Sequence, residues 1–217
     1  MKNIIFAGAG GFAKELYGYI RQDMDSGNAD FRFKGILLKK GTPEDDFFGL
    51  PCLGTEDDYI PEQGDVFTVP VGSIPVRNRI INKLEAKNAE FLSFIHSSAI
   101  INPTAKIGRG VIVSPFSIIN ASAVVGDHCV LNVYCSVGHD TRIGNGAVLS
   151  PFCAVNGGAS AGDNLFMGTR ATIFPGVTVG DNCSVSAHSF VKQDKGDNLI
   201  IQQQSKTVEV VNRIIRK

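Results

Sequence analysis

The 217-residue chain predicts a small Rossmann-like α/β domain followed by an all-β parallel β-helix, and three observations carry that prediction. Residues 1–95 alternate short apolar runs with glycine turns and amphipathic stretches. From Ile101, every sixth residue is apolar for sixteen positions: Ile101, Ile107, Val113, Ile119, Val125, Leu131, Val137, Ile143, Leu149, Val155, Ala161, Met167, Ile173, Val179, Val185 and Val191. The segments IGRG, VGDH, IGNG, AGDN and VGDN recur every eighteen residues, at 107, 125, 143, 161 and 179. The organisation divides as 1–95, 96–198 and a C-terminal capping segment, 199–217.

In the first segment KNIIFAGAGGFAKELYGYI reads as a buried strand, a glycine turn and a helix with Phe12, Leu16, Tyr19 and Ile20 on its apolar face. Gly8, Gly10 and Ala13 fit G-x-G-x-x-G/A, a turn that brings backbone N–H groups to phosphate at a helix N-terminus. A dinucleotide reader wants an acidic residue at the end of the next strand, but FRFKGILLKK ends in Lys39 and Lys40. That argues against NAD and leaves a phosphate-bearing ligand. DVFTVPVGS gives a second strand and glycine turn, VRNRIINKLEAK a helix, and EFLSFI a returning strand. Arg77, five residues after Gly72, falls at the start of that helix, either facing the same ligand or lying on the helix surface.

A period of six fits neither a helix nor a lone strand; it fits a two-residue strand plus a tight turn, three of which make a triangular coil of eighteen residues. At 43% hydrophobic residues, sixteen consecutive hits arise by chance in roughly one register in a million. Four residues after each large apolar position the chain is mostly small, and Cys129, Cys135, Cys153 and Cys183 occupy that site, which reads as core packing. Glycine or asparagine predominates one position after the apolar residues, where an unusual backbone conformation is expected. Stacking by eighteen puts His139 between Ala121 and Gly157, and Asp140 between Ser122 and Gly158. The pair therefore projects from a wall of small residues with room above it for a ligand. In the tail, Val208, Val211, Ile214 and Ile215 share one face of a helix suited to capping the open solenoid end.

Composition narrows the function classes. With 21 basic and 21 acidic residues there is no global charge to favour nucleic acid or an anionic membrane. The six-residue apolar run near the N-terminus is too short for a signal core or a membrane span, so a cytoplasmic location is expected. Five cysteines without C-x-x-C spacing suggest neither a disulfide framework nor a zinc cluster. His128, His139 and His188 fall on three different corner columns, which argues against a histidine-ligated metal within one chain.

GAGGFAKE, VGSIPVR, IHSSAIINPTAKIGRGV, VLNVYCSVGHDTRIG and FPGVTVGDN together resemble the PglD/NeuD-like acetyltransferases, which modify amino sugars or sialic acids. The resemblance implies a left-handed β-helix, a homotrimer, acetyl-CoA as co-substrate in the groove between neighbouring solenoids and no metal. It also implies a nucleotide-linked amino sugar held by the N-terminal domain and a role in bacterial surface-glycan biosynthesis. His139 matches the family's general base and Asp140 the acidic residue that orients it; Asn132 matches a position near the acceptor. Gly10, Gly11 and Phe12 match one substrate loop, Gly72 and Arg77 the second, with Lys39 beside them. Val148, Gly157, Thr169 and Ala187 match positions along coenzyme A. Three features depart from the family: LLKK replaces acidic residues, Val148 replaces a second histidine, and NLIIQQQSKTVEVVNRIIRK replaces the usual G-x-P-A ending. The favoured activity is N-acetylation of an amino-deoxysugar, with O-acetylation of sialic acid or another sugar as the alternative. A non-catalytic or metal-dependent β-helix protein is the more distant one.

Overall fold

The computed structural model describes residues 2–28, 30–39 and 47–203. The chain opens with a four-stranded parallel sheet formed by β1 (Lys2–Ala7), β2 (Phe31–Leu37), β3 (Asp65–Thr68) and β4 (Glu90–Phe91), in the order β2-β1-β3-β4. Helices α1 (Gly11–Asp25) and α2 (Ile74–Glu85) connect the strands. Ile4 and Phe6 of β1 pack with Ala13, Leu16 and Ile20 of α1, while Ile5 and Ala7 pack with Ile80, Ile81 and Leu84 of α2. Alternation along β1 thus buries it on both faces, as a central parallel strand requires.

The run expected as one returning strand, EFLSFI, divides between two sheets. Leu92 N–H donates to Phe67 in the α/β sheet, and two residues later Phe94 N–H donates to Val111 in the solenoid. The solenoid strands run from Phe94–Ile95 to Ile200–Ile201, making about six turns in three parallel sheets of seven, six and five strands. Each strand is two residues long and pairs with the one eighteen residues away, as Ser136↔Ala154 and Val137↔Val155 show. Toward the end the coil shortens by two residues, so that Ser184 pairs with Ile200. The inward residues Val113 through Val191 form one continuous buried core, in which Cys129, Cys135, Cys153 and Cys183 are also buried.

The glycines after each apolar position serve a purpose other than the expected one. A Cβ on Gly138 would sit 2.3 Å from the Gly157 nitrogen, so the stacked coils approach too closely there for any side chain. The left-handed conformation falls instead on the second corner residue: Asp140 has φ 57°, Asn164 59° and Asn182 54°. The eighteen-residue recurrence of Asp and Asn has its own cause. Asp127, Asn145, Asp163 and Asp181 each accept, at 2.6–3.0 Å, the backbone N–H of the corner residue one coil earlier. A column of side-chain acceptors thus satisfies turn N–H groups that the ladder leaves unpaired.

The α/β region covers one of the three solenoid faces. Phe94, Ile112, Val130 and Val148, outward residues of the seven-stranded sheet, pack in one cluster with Phe6, Leu16 and Phe47. Buried Asp23 of α1 reinforces the junction by accepting from Ser97 N–H at 3.0 Å and Ser97 Oγ at 2.6 Å, with His96 Nε2 3.7 Å away. His96, a boundary residue by sequence, is a buried part of this polar joint. The capping helix expected around Val208, Val211, Ile214 and Ile215 lies outside the described residues, as does Lys40.

Candidate active site

Two places concentrate chemistry. The first is a cleft of about 320 Å³ at the C-terminal edge of the α/β sheet, lined by the Gly8-Ala9-Gly10 turn, Lys14, Leu38, Lys39, Glu56, Val71, Val76 and Arg79, among others. Gly8 adopts φ +125° and its Cβ position lies 3.0 Å from Val71, so a side chain here is excluded by both conformation and space. Gly10 is the N-cap of α1 and offers no side chain; no acidic residue occupies the first helical turn. The helix N-terminus therefore presents free N–H groups and its positive dipole end to the cleft. Lys14, Lys39 and Arg79 add positive charge, partly offset by Glu56, whose Oε1 lies 3.4 Å from Lys83 and 4.0 Å from Arg79. A cleft of this kind suits a diphosphate.

The second place is the corner joining the two solenoid sheets that do not carry the α/β region. Here His139 Nδ1 lies 2.8 Å from Asp140 Oδ2, with side chains 72% and 66% exposed. The left-handed turn at Asp140 folds its carboxylate back onto the preceding imidazole. His139 lies over Gly157 so closely that a Cβ there would be 2.5 Å from Nε2. Backbone bonds fix the corner on both sides: Asp140 N–H donates to Ala121 at 2.9 Å and Gly158 N–H to His139 at 2.8 Å. An exposed imidazole with one nitrogen tied to a carboxylate can take a proton on the other. None of the four core cysteines competes as nucleophile. Burial pushes the Cys135 thiol up to about 12 and those of Cys129 and Cys153 up to about 11, which keeps them protonated.

The chain is 30% identical to perosamine N-acetyltransferase of Caulobacter crescentus, a variant of which was solved with CoA and GDP-perosamine; the match covers 93% of each chain with a TM-score of 0.81. The chain belongs to the hexapeptide-repeat sugar acetyltransferases. It is also 30% identical, over 118 residues, to UDP-N-acetylbacillosamine N-acetyltransferase of Bacillus subtilis; it spans about half of that relative, 51% of its length. WeeI of Acinetobacter baumannii, at 23% identity and TM-score 0.81 over 93% of this chain and 97% of that one, shares the fold. No protein-family model matches the chain.

Against the sites expected of a sugar acetyltransferase, the structure sorts the residues as follows. Gly10 and Lys39 line the cleft, Gly11 follows in α1, and Gly72 adjoins the lining residue Val71. Phe12 is half-buried against the α/β core. Arg77 does not face a ligand: it is 1% exposed, and its Nη2 donates to the His128 carbonyl oxygen of the solenoid. Burial lowers its pKa to about 10, and Nε and Nη1 have no hydrogen-bond partner among the described residues. Its neighbour Asn78 likewise points to the solenoid, donating to Asn164 at 2.8 Å. The cleft-facing positions of α2 are Val76, Arg79 and Ile80, whose i, i+3, i+4 spacing was readable in the sequence and puts Arg77 about a quarter turn away. Lys14 and Glu56 carried no sequence signal of their own.

Among the residues expected along coenzyme A, Gly157 lies under His139. Val148 is a correction: it is buried beneath the α/β region, in the cluster with Phe6 and Leu16, and has no free surface for coenzyme A. Asn132, Thr169 and Ala187 gather at a different corner, between the covered sheet and the six-stranded sheet. Asn132 Oδ1 accepts there from Val133 N–H at 2.7 Å. Among the described residues no group of three or more His, Cys, Asp or Glu side chains is placed to hold a metal, and no helix is long and apolar enough to cross a membrane.

Proposed function

We propose that the chain transfers the acetyl group of acetyl-CoA to the amino group of a nucleotide-linked amino-deoxysugar, with His139 as general base. The observation that carries this is the exposed His139–Asp140 pair, tied at 2.8 Å over a glycine shelf. Asp140 holds Nδ1, which leaves Nε2 to accept the proton that the sugar amine loses as it attacks the thioester carbonyl. The new C–N bond forms, the C–S bond breaks, and the proton passes on to the departing thiolate. The alternative, O-acetylation, would use the same base; the amino acceptor is preferred because both relatives at 30% identity are N-acetyltransferases by name. Diphosphate in the cleft, against the α1 N-terminus, Lys14, Lys39 and Arg79, would hold the nucleotide on a Rossmann-like scaffold.

One chain does not bring these parts together. The cleft belongs to the region packed on the seven-stranded sheet, and His139 lies on the corner between the other two sheets. We infer that the working unit is a homotrimer of left-handed solenoids, in which the His139 corner of one copy meets the corner of the next that carries Asn132, Thr169 and Ala187. Residues scattered over two corners of one chain would then line one groove, with acetyl-CoA between copies. The exposed stack Phe116–Tyr134–Phe152, with ring centroids 5.1 and 4.9 Å apart, would be covered there. The test is thiol release from acetyl-CoA with UDP-, dTDP-, GDP- and CMP-linked sugars offered in paired amino and hydroxyl forms. Turnover confined to an amino sugar supports the assignment, and turnover confined to the hydroxyl partner replaces it with O-acetylation.

A further inference from the structure

We propose that Arg77 and Asn78 are positioning residues for acetyl transfer: they fix α2, and with it one wall of the nucleotide cleft, at a set height relative to the solenoid coil that carries His139. The inference rests on the acetyl-transfer reading above. One corner of the solenoid stacks His128, Gly146, Asn164, Asn182 and Asn198 in a column, all in the left-handed conformation at φ 54–69°. In the C-terminal part of that column each side-chain amide donates to the next, Asn164 Nδ2 to Asn182 Oδ1 at 3.0 Å and Asn182 Nδ2 to Asn198 Oδ1 at 3.1 Å. Gly146 leaves its rung of this ladder without a side chain. Asn78 of α2 fills the space: a Cβ on Gly146 would lie 3.6 Å from Asn78 Oδ1, and Asn78 Nδ2 donates to Asn164 Oδ1 at 2.8 Å. One rung further, Nη2 of the buried Arg77 donates to the carbonyl oxygen of His128.

These bonds carry direction where the rest of the joint does not. The apolar cluster between the α/β region and the seven-stranded sheet holds the two together but tolerates sliding, whereas a hydrogen bond weakens steeply away from linearity. Arg77 adds little net stability, since a buried cation is costly to desolvate and its Nε and Nη1 have no partner among the described residues. Helix α2 is tied at its other end as well, where Glu85 Oε1 lies 3.3 Å from His128 Nε2. Val76, Arg79 and Ile80, within one turn of the Arg77 and Asn78 anchors, line the cleft. His128 and His139 belong to one coil, whose strands are Val130–Leu131, Ser136–Val137 and Arg142–Ile143. In a trimer whose threefold axis runs parallel to the solenoids, that coil stands at the same height in every copy. The cleft of one chain is thereby held at a fixed height against the His139 of the next, where the acceptor amine has to arrive.

Steady-state thiol release, with an amino sugar that the wild type turns over, is compared for Arg77→Met, Arg77→Lys, Asn78→Ala and Asn198→Gly chains. Thermal melts and calorimetric titrations with UDP, GDP and coenzyme A accompany it. Arg77→Met replaces the buried cation with an apolar chain, so Tm should hold while kcat falls about tenfold or more, because a displacement of about 1 Å is costly at a reacting centre. Asn78→Ala should lower kcat in the same way. In both variants coenzyme A, and whichever nucleoside diphosphate the wild type binds, should bind as before. Arg77→Lys, which keeps a donor, should recover part of the rate. Asn198→Gly, at the far end of the amide ladder, should leave kcat unchanged. Wild-type kcat in both Arg77→Met and Asn78→Ala overturns the positioning role, as does a fall that only follows lost nucleotide binding. A wild-type chain that turns over no sugar of the panel instead overturns the acetyl-transfer reading, and the positioning role with it.

Discussion

His139 is positioned by its neighbours in the coil stack rather than by a pocket around it. Its Nδ1 is tied to Asp140, its ring rests on Gly157, and the backbone at both residues is bonded to the coils on either side. Gly157→Ala should therefore lower kcat by about tenfold or more with little change in Tm, because the added methyl displaces an exposed ring rather than packed backbone. Steady-state kinetics beside a thermal melt checks this. The pair was legible in the sequence because eighteen-residue stacking is arithmetic: it named Gly157 and Gly158 as the shelf without coordinates. Arg77 takes neither of its expected places, ligand-facing or on the helix surface, because it lies about a quarter turn from the cleft-facing Val76, Arg79 and Ile80 and is buried against the solenoid. A shift of one residue turns a side chain by about 100 degrees, from the cleft toward the solenoid.

At the scale of the coil, the hexad pattern announced the strands and their inward residues, but not why glycine follows them. Close approach between coils, which no single-coil pattern contains, supplies the reason. Gly138→Ala would force its Cβ to 2.3 Å from the Gly157 nitrogen, and backbone must move. A loss of about 2–3 kcal/mol in unfolding free energy is expected, read from denaturant titration. The link between α2 and the solenoid gives a pH dependence. Burial of His128 holds its pKa below the usual 6.5, against the opposing pull of Glu85, whose Oε1 is 3.3 Å from Nε2. The folded state thus favours the neutral ring, and this contribution is present above about pH 6.5 and lost as pH falls, because the unfolded chain takes up the proton first. His128→Asn, which tolerates the left-handed turn at φ 55°, should flatten the fall in Tm between about pH 7 and about pH 5. A profile identical to wild type would assign the stability loss elsewhere.

At the scale of the whole molecule, the sequence separated an α/β region from a solenoid but could not say which solenoid face the first would cover. That choice depends on the outward residues Phe94, Ile112, Val130 and Val148, which look like ordinary strand residues until Phe6, Leu16 and Phe47 are packed on them. It is also the fact that separates the cleft from His139 within one chain. If the working site forms between copies, mixed assemblies of His139→Ala and Lys39→Glu chains should regain activity that neither variant has alone, whereas a site within one chain would give no recovery.

The central claim is tested most directly by one comparison. Thiol release from acetyl-CoA is measured with a nucleotide-linked amino sugar for wild-type and His139→Ala chains of matched Tm. Transfer by the wild type and a fall of about a hundredfold or more in kcat for the variant is the expected result. Near-wild-type turnover by His139→Ala would contradict the account.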